Sequence, residues 1–464
     1  LRPPREAAVY DAAALARWTE ARARDAPAAV PGVGPDGAPV LLAARAIKKG
    51  EAVVSLPEAS LLTRASAEAS PRIGAALRTA GDTKDWVALA LYLIDESAAG
   101  TSSELAPWLA ALPAAGEGSL DLPMFWDDDE LSHLQGTQLL ERAVGYREYL
   151  AYEYGELSEG LFSDFPDVFD PSVFTADALA WAFGVLRSRS HPPLTGAELA
   201  LAPGADVARF SEGSQARWAL RGFGPLGLGG GKALELVADR AYAEGEEITM
   251  AYGAEEASGT DLALDYGIYG GRAAEGYALS LAIPEDDVNY DDKADVAELN
   301  GLGVSQTFLC RAGGEMGLDP DFLPYMRLAN CSGTDAFHLE SLFRNEAWDH
   351  MRVPLSEESE AAVCKTMIEG CDAVLAGTES FRSEDRAVCR EGLAGGHAPR
   401  RLLAALQREG ERRALAGLRD AFAARQEALP TLEYYATWRL KSLSLIDEDG
   451  ESTYSGNYDS SGIW

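Results

Sequence analysis

The sequence is poor in basic residues, lacks long apolar runs and has no cysteine before Cys310. Its 464 residues carry 40 Lys plus Arg against 74 Asp plus Glu, a formal net charge of −34. Phosphate backbones and anionic lipid surfaces both attract basic proteins, so this balance argues against a nucleic-acid binder and against a peripheral membrane anchor. The apolar fraction of 47% and the charged fraction of 25% are typical of globular proteins and exclude disorder as the main state.

The apolar runs are too short for a membrane protein. A long one, Val87–Ile94, falls far below the roughly 20 apolar residues that a membrane-spanning helix needs. No signal or transit peptide is visible, and the length predicts two or three domains.

Common catalytic and metal-binding motifs are also missing. The five cysteines include no CxxC pair, which argues against a structural zinc site and predicts free core thiols in a reducing compartment. No GxSxG, HExxH or P-loop motif occurs. Gly222-x-Gly224-x-x-Gly227 matches the dinucleotide-binding fingerprint, but more glycines follow where that motif needs a helix, so we expect a hairpin tip.

Short strands occur in two blocks that are separated by helical sequence. The first block contains an opening helix and two apolar runs, Val40–Leu42 and Ala52–Leu56, which predict paired strands. The absence of regular βα alternation argues against a doubly wound sheet or a TIM barrel. The predicted regions are a first strand block at 1–64, a helical segment at 65–185, a second strand block at 186–285, a helical region at 286–446 and an acidic tail at 447–464.

Two Tyr-Gly pairs and a series of ordered sequence blocks indicate a protein family. A turn and a strand end in Tyr252-Gly253, and a helical turn then ends in a second pair, Tyr266-Gly267. Together with many ordered blocks, this pattern resembles the SET-domain protein-lysine methyltransferases, specifically the plant Rubisco large-subunit methyltransferase group. The blocks include Ala46–Pro57, Pro107–Pro113, Glu130–Thr137, Trp181–Arg189, Asp292–Glu298, Gly333–Asn345 and Leu432–Tyr435.

The resemblance implies an α+β fold. A SET β-core (1–64 and 186–285) would hold a helical insert (65–185), and an all-α C-terminal domain (286–446) would bind the protein substrate or partner. The implied cofactor is S-adenosylmethionine, with the target lysine entering from the opposite face through a narrow channel. The implied location is the chloroplast stroma, and the implied substrates are plastid proteins such as the Rubisco large subunit or fructose-bisphosphate aldolase.

The resemblance also assigns site residues. Tyr252 and Tyr266 fall on the family's two site tyrosines, which implies a catalytic role. Ser188 and Arg189 fall on its cofactor-binding arginine stretch, and Asp206 lies in the segment that contacts the cofactor. Methyl transfer to a neutral amine requires alignment, desolvation and oxygen acceptors around the methyl group, and a tyrosine hydroxyl suits that last task.

The chain departs from the family at three places in this site. Ala38 and Val40 replace two glycines of the early cofactor loop, where Pro39 also replaces a leucine. Arg209 and Phe210 replace the family's Asn-His pair within the segment 205–211. A third change, Gly259, stands where Asn is usual. Side-chain bulk replaces glycine, Arg209 brings a cation toward a cofactor that is already positively charged, and Phe cannot hydrogen-bond. These changes predict a weakened cofactor site.

Two hypotheses follow from these departures. In the first, the chain is a catalytically degenerate SET protein that holds a protein partner through region 286–446, as a subunit of a larger assembly. In the second, it is an active S-adenosylmethionine-dependent lysine methyltransferase of a plastid protein. No metal, nucleic-acid or membrane role is expected.

Overall fold

The computed structural model describes residues 10–191, 199–222, 231–253, 257–269, 276–311, 319–340 and 343–453. The chain forms two compact units: Leu1–Ala274 with Ala398–Gln407, and Glu275–His397 with Arg408–Trp464. In these described ranges, no helix is long and apolar enough to cross a membrane.

Seventeen α-helices are found in the described ranges. They are α1 Ala12–Glu20, α2 Arg64–Ala69, α3 Gly74–Ala80, α4 Asp85–Ala99, α5 Ala106–Leu109, α6 Asp128–Ser132, α7 Gln138–Glu159, α8 Leu161–Asp164, α9 Ala176–Arg189, α10 Gly259–Tyr266, α11 Tyr290–Leu299, α12 Phe322–Asn330, α13 Ala347–Met351, α14 Glu357–Thr378, α15 Arg382–Glu391, α16 Pro399–Ala428 and α17 Tyr435–Ser442.

In the part of the chain that the structure describes, the strands form four small sheets. The strands are β1 Ala29–Val33, β2 Pro39–Ala43, β3 Ala52–Pro57, β4 Ser190–His191, β5 Ala200–Leu201, β6 Arg209–Phe210, β7 Trp218–Gly222, β8 Lys232–Val237, β9 Glu247–Met250, β10 Gly276–Ala282 and β11 Ser305–Arg311. The sheet orders are β1-β2-β9-β6, β3-β8-β7, β4-β5 and β10-β11, and β6 pairs with β9 in parallel. The α+β class predicted from the sequence is confirmed.

The apolar runs predicted to pair with each other lie in different sheets. Val40–Leu42 belongs to β2, which pairs with β1 and β9, whereas Ala52–Leu56 belongs to β3, which pairs with β8. The prediction was wrong because the turn at Gly50 does not close a hairpin: its amide donates instead to the Ala238 carbonyl. Local spacing therefore identified the strands but not their partners.

Helices between the strand blocks supply much of the N-terminal unit's core. The apolar run Val87–Ile94 lies in α4 and is buried except for Tyr92, and α4 packs against α9. Thr175 begins α9 because its side chain accepts a hydrogen bond from the Ala178 amide. The end of α9 carries Ser188 and Arg189, so burial of this helix places both residues.

The glycine-rich segment and most of the tail lie outside the described residues. Strands β7 and β8, which flank 223–230, are antiparallel neighbours with Gly222 opposite Lys232. In the tail, residues 447–453 are described, and Ile446 forms an isolated bridge with Ser452.

The C-terminal unit is mainly helical but not all-α, which corrects the expectation for 286–446. Strand β11 lies inside that range and pairs with β10 over seven residues. Its alternating burial, with Phe308 and Cys310 facing the core, has the two-residue period of a strand. The prediction failed because the segment is short and the helices around it dominate the pattern.

All five cysteines lie in the C-terminal unit, and none forms a disulfide. Four are buried, as expected of core thiols, and Cys389 is partly buried. Burial raises the pKa of Cys310 and Cys331 to about 12 and that of Cys371 to about 11. These thiols are therefore protonated at neutral pH.

Gly204 allows the backbone just before Asp206 to pack closely against α1. Its φ is +87°, which L side chains rarely adopt, and a Cβ there would overlap the Thr19 hydroxyl on α1. The Gly204 amide donates to the Asp206 carboxylate at 3.0 Å. Glycine is required at this position for both its backbone conformation and its close packing.

We expect Gly204→Ala to destabilise the N-terminal unit by about 2–4 kcal/mol, since it combines backbone strain with overpacking. Gly245→Ala is the matched control because Gly245 has a φ of +78° but open space around a Cβ. It should cost only about 1 kcal/mol. Calorimetric unfolding measures both, and equal losses would show that the Thr19 contact is unimportant.

Candidate functional site

Two cavities in the N-terminal unit meet at four residues: Ser188, Asp206, Tyr252 and Tyr266. The smaller cavity has a volume of about 290 Å³ and is also lined by Ala38, Arg189 and Arg209. The larger has a volume of about 1100 Å³ and extends along α2, β7 and β8. A group at the shared residues can therefore contact ligands from both cavities.

Tyr252 follows β9 and is fixed by a hydrogen bond. Its hydroxyl donates to the Ala208 carbonyl at 2.6 Å, and its ring centroid lies 5.0 Å from that of Tyr266. Burial raises the pKa of both tyrosines to about 12. Both hydroxyls are therefore neutral at physiological pH, which keeps a full negative charge out of the junction.

Tyr266 ends α10, and its neighbour Asp265 anchors that helix. The Asp265 carboxylate accepts hydrogen bonds from Arg187 Nε at 2.8 Å and from the Tyr146 hydroxyl at 2.9 Å. Gly267 follows with a φ of +63°, the left-handed conformation that commonly ends a helix. These contacts connect α7, α9 and α10 and hold the second tyrosine in place.

Asp206 is a buried carboxylate between the two cavities. It accepts hydrogen bonds from Trp108 Nε1 at 3.1 Å and from the Gly204 amide at 3.0 Å. Arg189 Nε lies 3.4 Å from its Oδ2. Burial raises the pKa of Asp206, and the nearby Arg189 guanidinium opposes that shift.

Arg189 presents a partly buried cation to the smaller cavity. Its guanidinium donates to Ser188 Oγ at 3.0 Å and to Ser119 Oγ at 2.9 Å. The Ser188 hydroxyl in turn donates to the Gly184 carbonyl one helical turn earlier. The cavity thus contains a positive charge, a buried carboxylate and several hydroxyl groups.

Arg209 is held by two carboxylates. Its Nε and Nη2 donate to the two oxygens of Glu247, each at 2.7 Å, and its Nη1 donates to Asp36 Oδ2 at 2.7 Å. The hydrogen bond to Glu247 is the main cause of its raised pKa. Arg209 therefore lines the cavity as a cation whose charge is balanced by two carboxylates. The sequence alone predicted an uncompensated positive charge there.

Two other predicted site residues lie beside the cavities. Among the described residues, Val40 and Phe210 line neither of them. Val40 is fully buried in β2 opposite Gly32, while the Phe210 ring lies 5.7 Å from Tyr252. Ala38, which precedes β2, lines the smaller cavity. The structure thus brings Ala38, Ser188, Arg189, Asp206, Arg209, Tyr252 and Tyr266 together.

Sequence reasoning missed the residues that support this site. Trp108 holds Asp206, and Glu247 with Asp36 holds Arg209. The position of Glu247, five residues before Tyr252, was a usable signal because a charged residue that is partly removed from water needs a partner of opposite charge. Trp108 lies in the family block Pro107–Pro113, but nothing in the sequence singled out its indole as a partner of Asp206.

Comparison with known proteins agrees with this geometry. The model of the family described as Rubisco LSMT substrate-binding matches residues 284–415. The Rubisco large-subunit N-methyltransferase of Nicotiana tabacum is 35% identical over 427 residues, 91% of this chain and 83% of the relative. The fructose-bisphosphate aldolase-lysine N-methyltransferase of Arabidopsis thaliana is 33% identical over 425 residues, 91% and 85% of the two chains. Both relatives are chloroplastic.

Solved structures of the same group share the fold. The crystal structure of the SET domain of LSMT bound to lysine and AdoHcy has a TM-score of 0.76 and 31% identity, covering 95% of this chain and 97% of the other. The structure of Rubisco LSMT bound to AdoMet has a TM-score of 0.74 at the same identity and coverage. With its paired tyrosines between two cavities and similarity over most of its length, the chain belongs to the SET-domain protein-lysine methyltransferase family, in the Rubisco large-subunit methyltransferase-like group.

Proposed function

We propose that the protein is an S-adenosylmethionine-dependent protein-lysine N-methyltransferase. One observation carries the proposal: Tyr252 and Tyr266 lie where the small cavity and the large cavity meet. Transfer between two ligands requires the donor and acceptor to approach a common point from separate binding sites. Solved structures of the family that are bound to AdoMet, or to lysine with AdoHcy, support binding of both a cofactor and an amine.

The smaller cavity fits the chemistry of the cofactor. S-adenosylmethionine carries a carboxylate, an ammonium group and an aromatic base. Arg189 offers a cation for the carboxylate, Asp206 a buried carboxylate for the cationic part, and Pro39 with Val207 an apolar surface. A charged amino-acid portion and a flat apolar portion can therefore both be accommodated.

The chain's own groups assist methyl transfer through their positions at the junction of the two cavities. When bound, S-adenosylmethionine supplies an electrophilic methyl group. The neutral hydroxyls of Tyr252 and Tyr266 provide oxygen atoms for weak C–H···O contacts. The Ala208 carbonyl orients the Tyr252 hydroxyl. These groups favour in-line transfer to an amine that enters as the neutral base.

The substrate we propose is a plastid protein such as the Rubisco large subunit or aldolase, with the stroma as the location. The two chloroplastic relatives support this assignment. The substrate-binding family match at 284–415 supports contact through the C-terminal unit, where Phe337 is 60% exposed.

A second candidate is a partner-binding subunit without methyl transfer. Arg209 and Phe210 favour it because they stand in place of a hydrogen-bonding Asn-His pair. The two candidates differ in cofactor binding, so the same measurement distinguishes them.

Titration calorimetry of the full chain with S-adenosylmethionine tests the proposal directly. A methyltransferase should bind with a dissociation constant near the micromolar range, about −8 kcal/mol. It should also transfer labelled methyl groups to a lysine of Rubisco or aldolase. A dissociation constant weaker than about 1 mM, with no transfer, would favour the partner-binding alternative.

Tyr252→Phe should lower kcat by about 10–100-fold, because it removes an oriented oxygen at the junction. Binding of S-adenosylhomocysteine should change by less than about threefold, since the ring packing is kept. Tyr152→Phe, at a 63% exposed position on α7, is the control. Full activity in the Tyr252 variant would remove the hydroxyl from the mechanism.

The pH dependence of kcat/KM should come from the substrate amine. Both tyrosines have pKa values of about 12, so they remain neutral as the pH rises from 7 to 10. The neutral fraction of a lysine amine increases over the same range toward its pKa of about 10.4, and the rate should rise with it. A falling rate between about pH 8 and 10, measured on protein that stays folded, would contradict this assignment.

A further inference from the structure

The segment that contains Ala38 and Pro39 is a tight turn with Asp36 at its tip. The Gly34 amide donates to the Ala38 carbonyl at 2.8 Å, and Asp36 Oδ1 accepts from the Ala38 amide at 3.2 Å. Oδ1 of Asp36 thus stabilises the turn, and Oδ2 accepts a hydrogen bond from outside it. This turn places Ala38 and Pro39 in the wall of the smaller cavity.

Arg209 connects this turn to the strand that leads to Tyr252. Asp36 is 173 residues from Arg209 in sequence, and Glu247 is 38 residues away. Arg209 lies in β6 and Glu247 in β9, which are parallel neighbours in one sheet. A single guanidinium therefore joins the turn before β2, the strand β6 and the strand β9, and it also lines the cavity.

We propose that Arg209 is a positioning residue for the smaller cavity. By linking Asp36 to Glu247 it closes one wall of this cavity. It thereby replaces the family's Asn-His pair in organising ligand binding. The proposal rests on the proposed function in that its ligand is S-adenosylmethionine or its demethylated product. The fixed fork of a guanidinium suits this role, because it binds one carboxylate with two hydrogen bonds and keeps a third donor for another.

The ion pairs of Arg209 with Asp36 and Glu247 are exposed enough to solvent to be sensitive to salt. The side chains of Arg209, Glu247 and Asp36 are 36%, 28% and 56% exposed. Ion pairs this exposed contribute little to stability and are screened by salt. Loss of Arg209 should therefore leave the fold intact but release the turn and leave two carboxylates beside the cavity. Arg209→Asn, which restores the family residue, should weaken binding for the same reason.

The test is titration of the full chain with S-adenosylhomocysteine at about 50 mM and about 300 mM NaCl, across which screening increases strongly. The parent's affinity should fall between these two concentrations as the ion pairs of Arg209 with Asp36 and Glu247 are screened, and Arg209→Ala should weaken binding by about tenfold at the lower concentration. Arg209→Lys keeps the charge but not the fork, so a loss of about threefold is expected. Stronger binding by Arg209→Lys than by Arg209→Ala would not be expected if the substitutions simply unfolded the protein.

Arg240→Ala is the matched control, since Arg240 donates to Glu246 at 2.6 Å, next to Glu247, and is 52% exposed. It should bind S-adenosylhomocysteine like the parent. Parent-like binding by Arg209→Ala would overturn the inference while leaving the proposed function intact. No binding by the parent itself would overturn both. If Arg209→Ala fails to fold, Asp36→Asn removes only the link to the turn, and an unchanged affinity and salt dependence in that variant would overturn the inference.

Discussion

The buried carboxylate of Asp206 is the constraint on which the site depends. A charge taken out of water is costly unless it is paired and hydrogen-bonded. Here the partners come from three separate parts of the chain: the indole of Trp108, the guanidinium of Arg189 and the amide of Gly204. Satisfying one carboxylate therefore fixes the end of α9, the helix α5 and the loop before β6 relative to one another.

The tyrosine pair depends on the same arrangement. The Tyr252 hydroxyl donates to the carbonyl of Ala208, two residues after Asp206, so the loop that carries the carboxylate also orients the phenol. Tyr266 is fixed separately through Asp265 and Arg187. Because Arg187 and Arg189 both lie in the last turn of α9, that helix end supports both halves of the junction.

The sequence predicted the parts of the site that short motifs encode. The Tyr-Gly pairs and the Ser188-Arg189 stretch are contiguous patterns, and they lie together at the cavities. Side-chain direction was less predictable: Ala38 lies in a turn and faces the cavity, whereas Val40, two residues later, is buried in the sheet. Pairing over long sequence distances could not be predicted, so the partners of β3 and of Arg209 became visible only in the fold. Without Glu247 and Asp36, Arg209 looked like an added charge against the cofactor.

The distribution of cysteine has a practical consequence for studying the two units. Every thiol lies in the C-terminal unit, four of the five are buried, and burial raises the pKa of Cys310, Cys331 and Cys371 far above neutral pH. Since thiolate is the reactive form, alkylating reagents reach the four buried side chains only when that unit opens. Once the partly buried Cys389 has been replaced by Ser, the rate of thiol labelling thus reports opening of the C-terminal unit alone. A single cysteine introduced into the thiol-free N-terminal unit would serve as an attachment point for a spectroscopic probe beside the cavities.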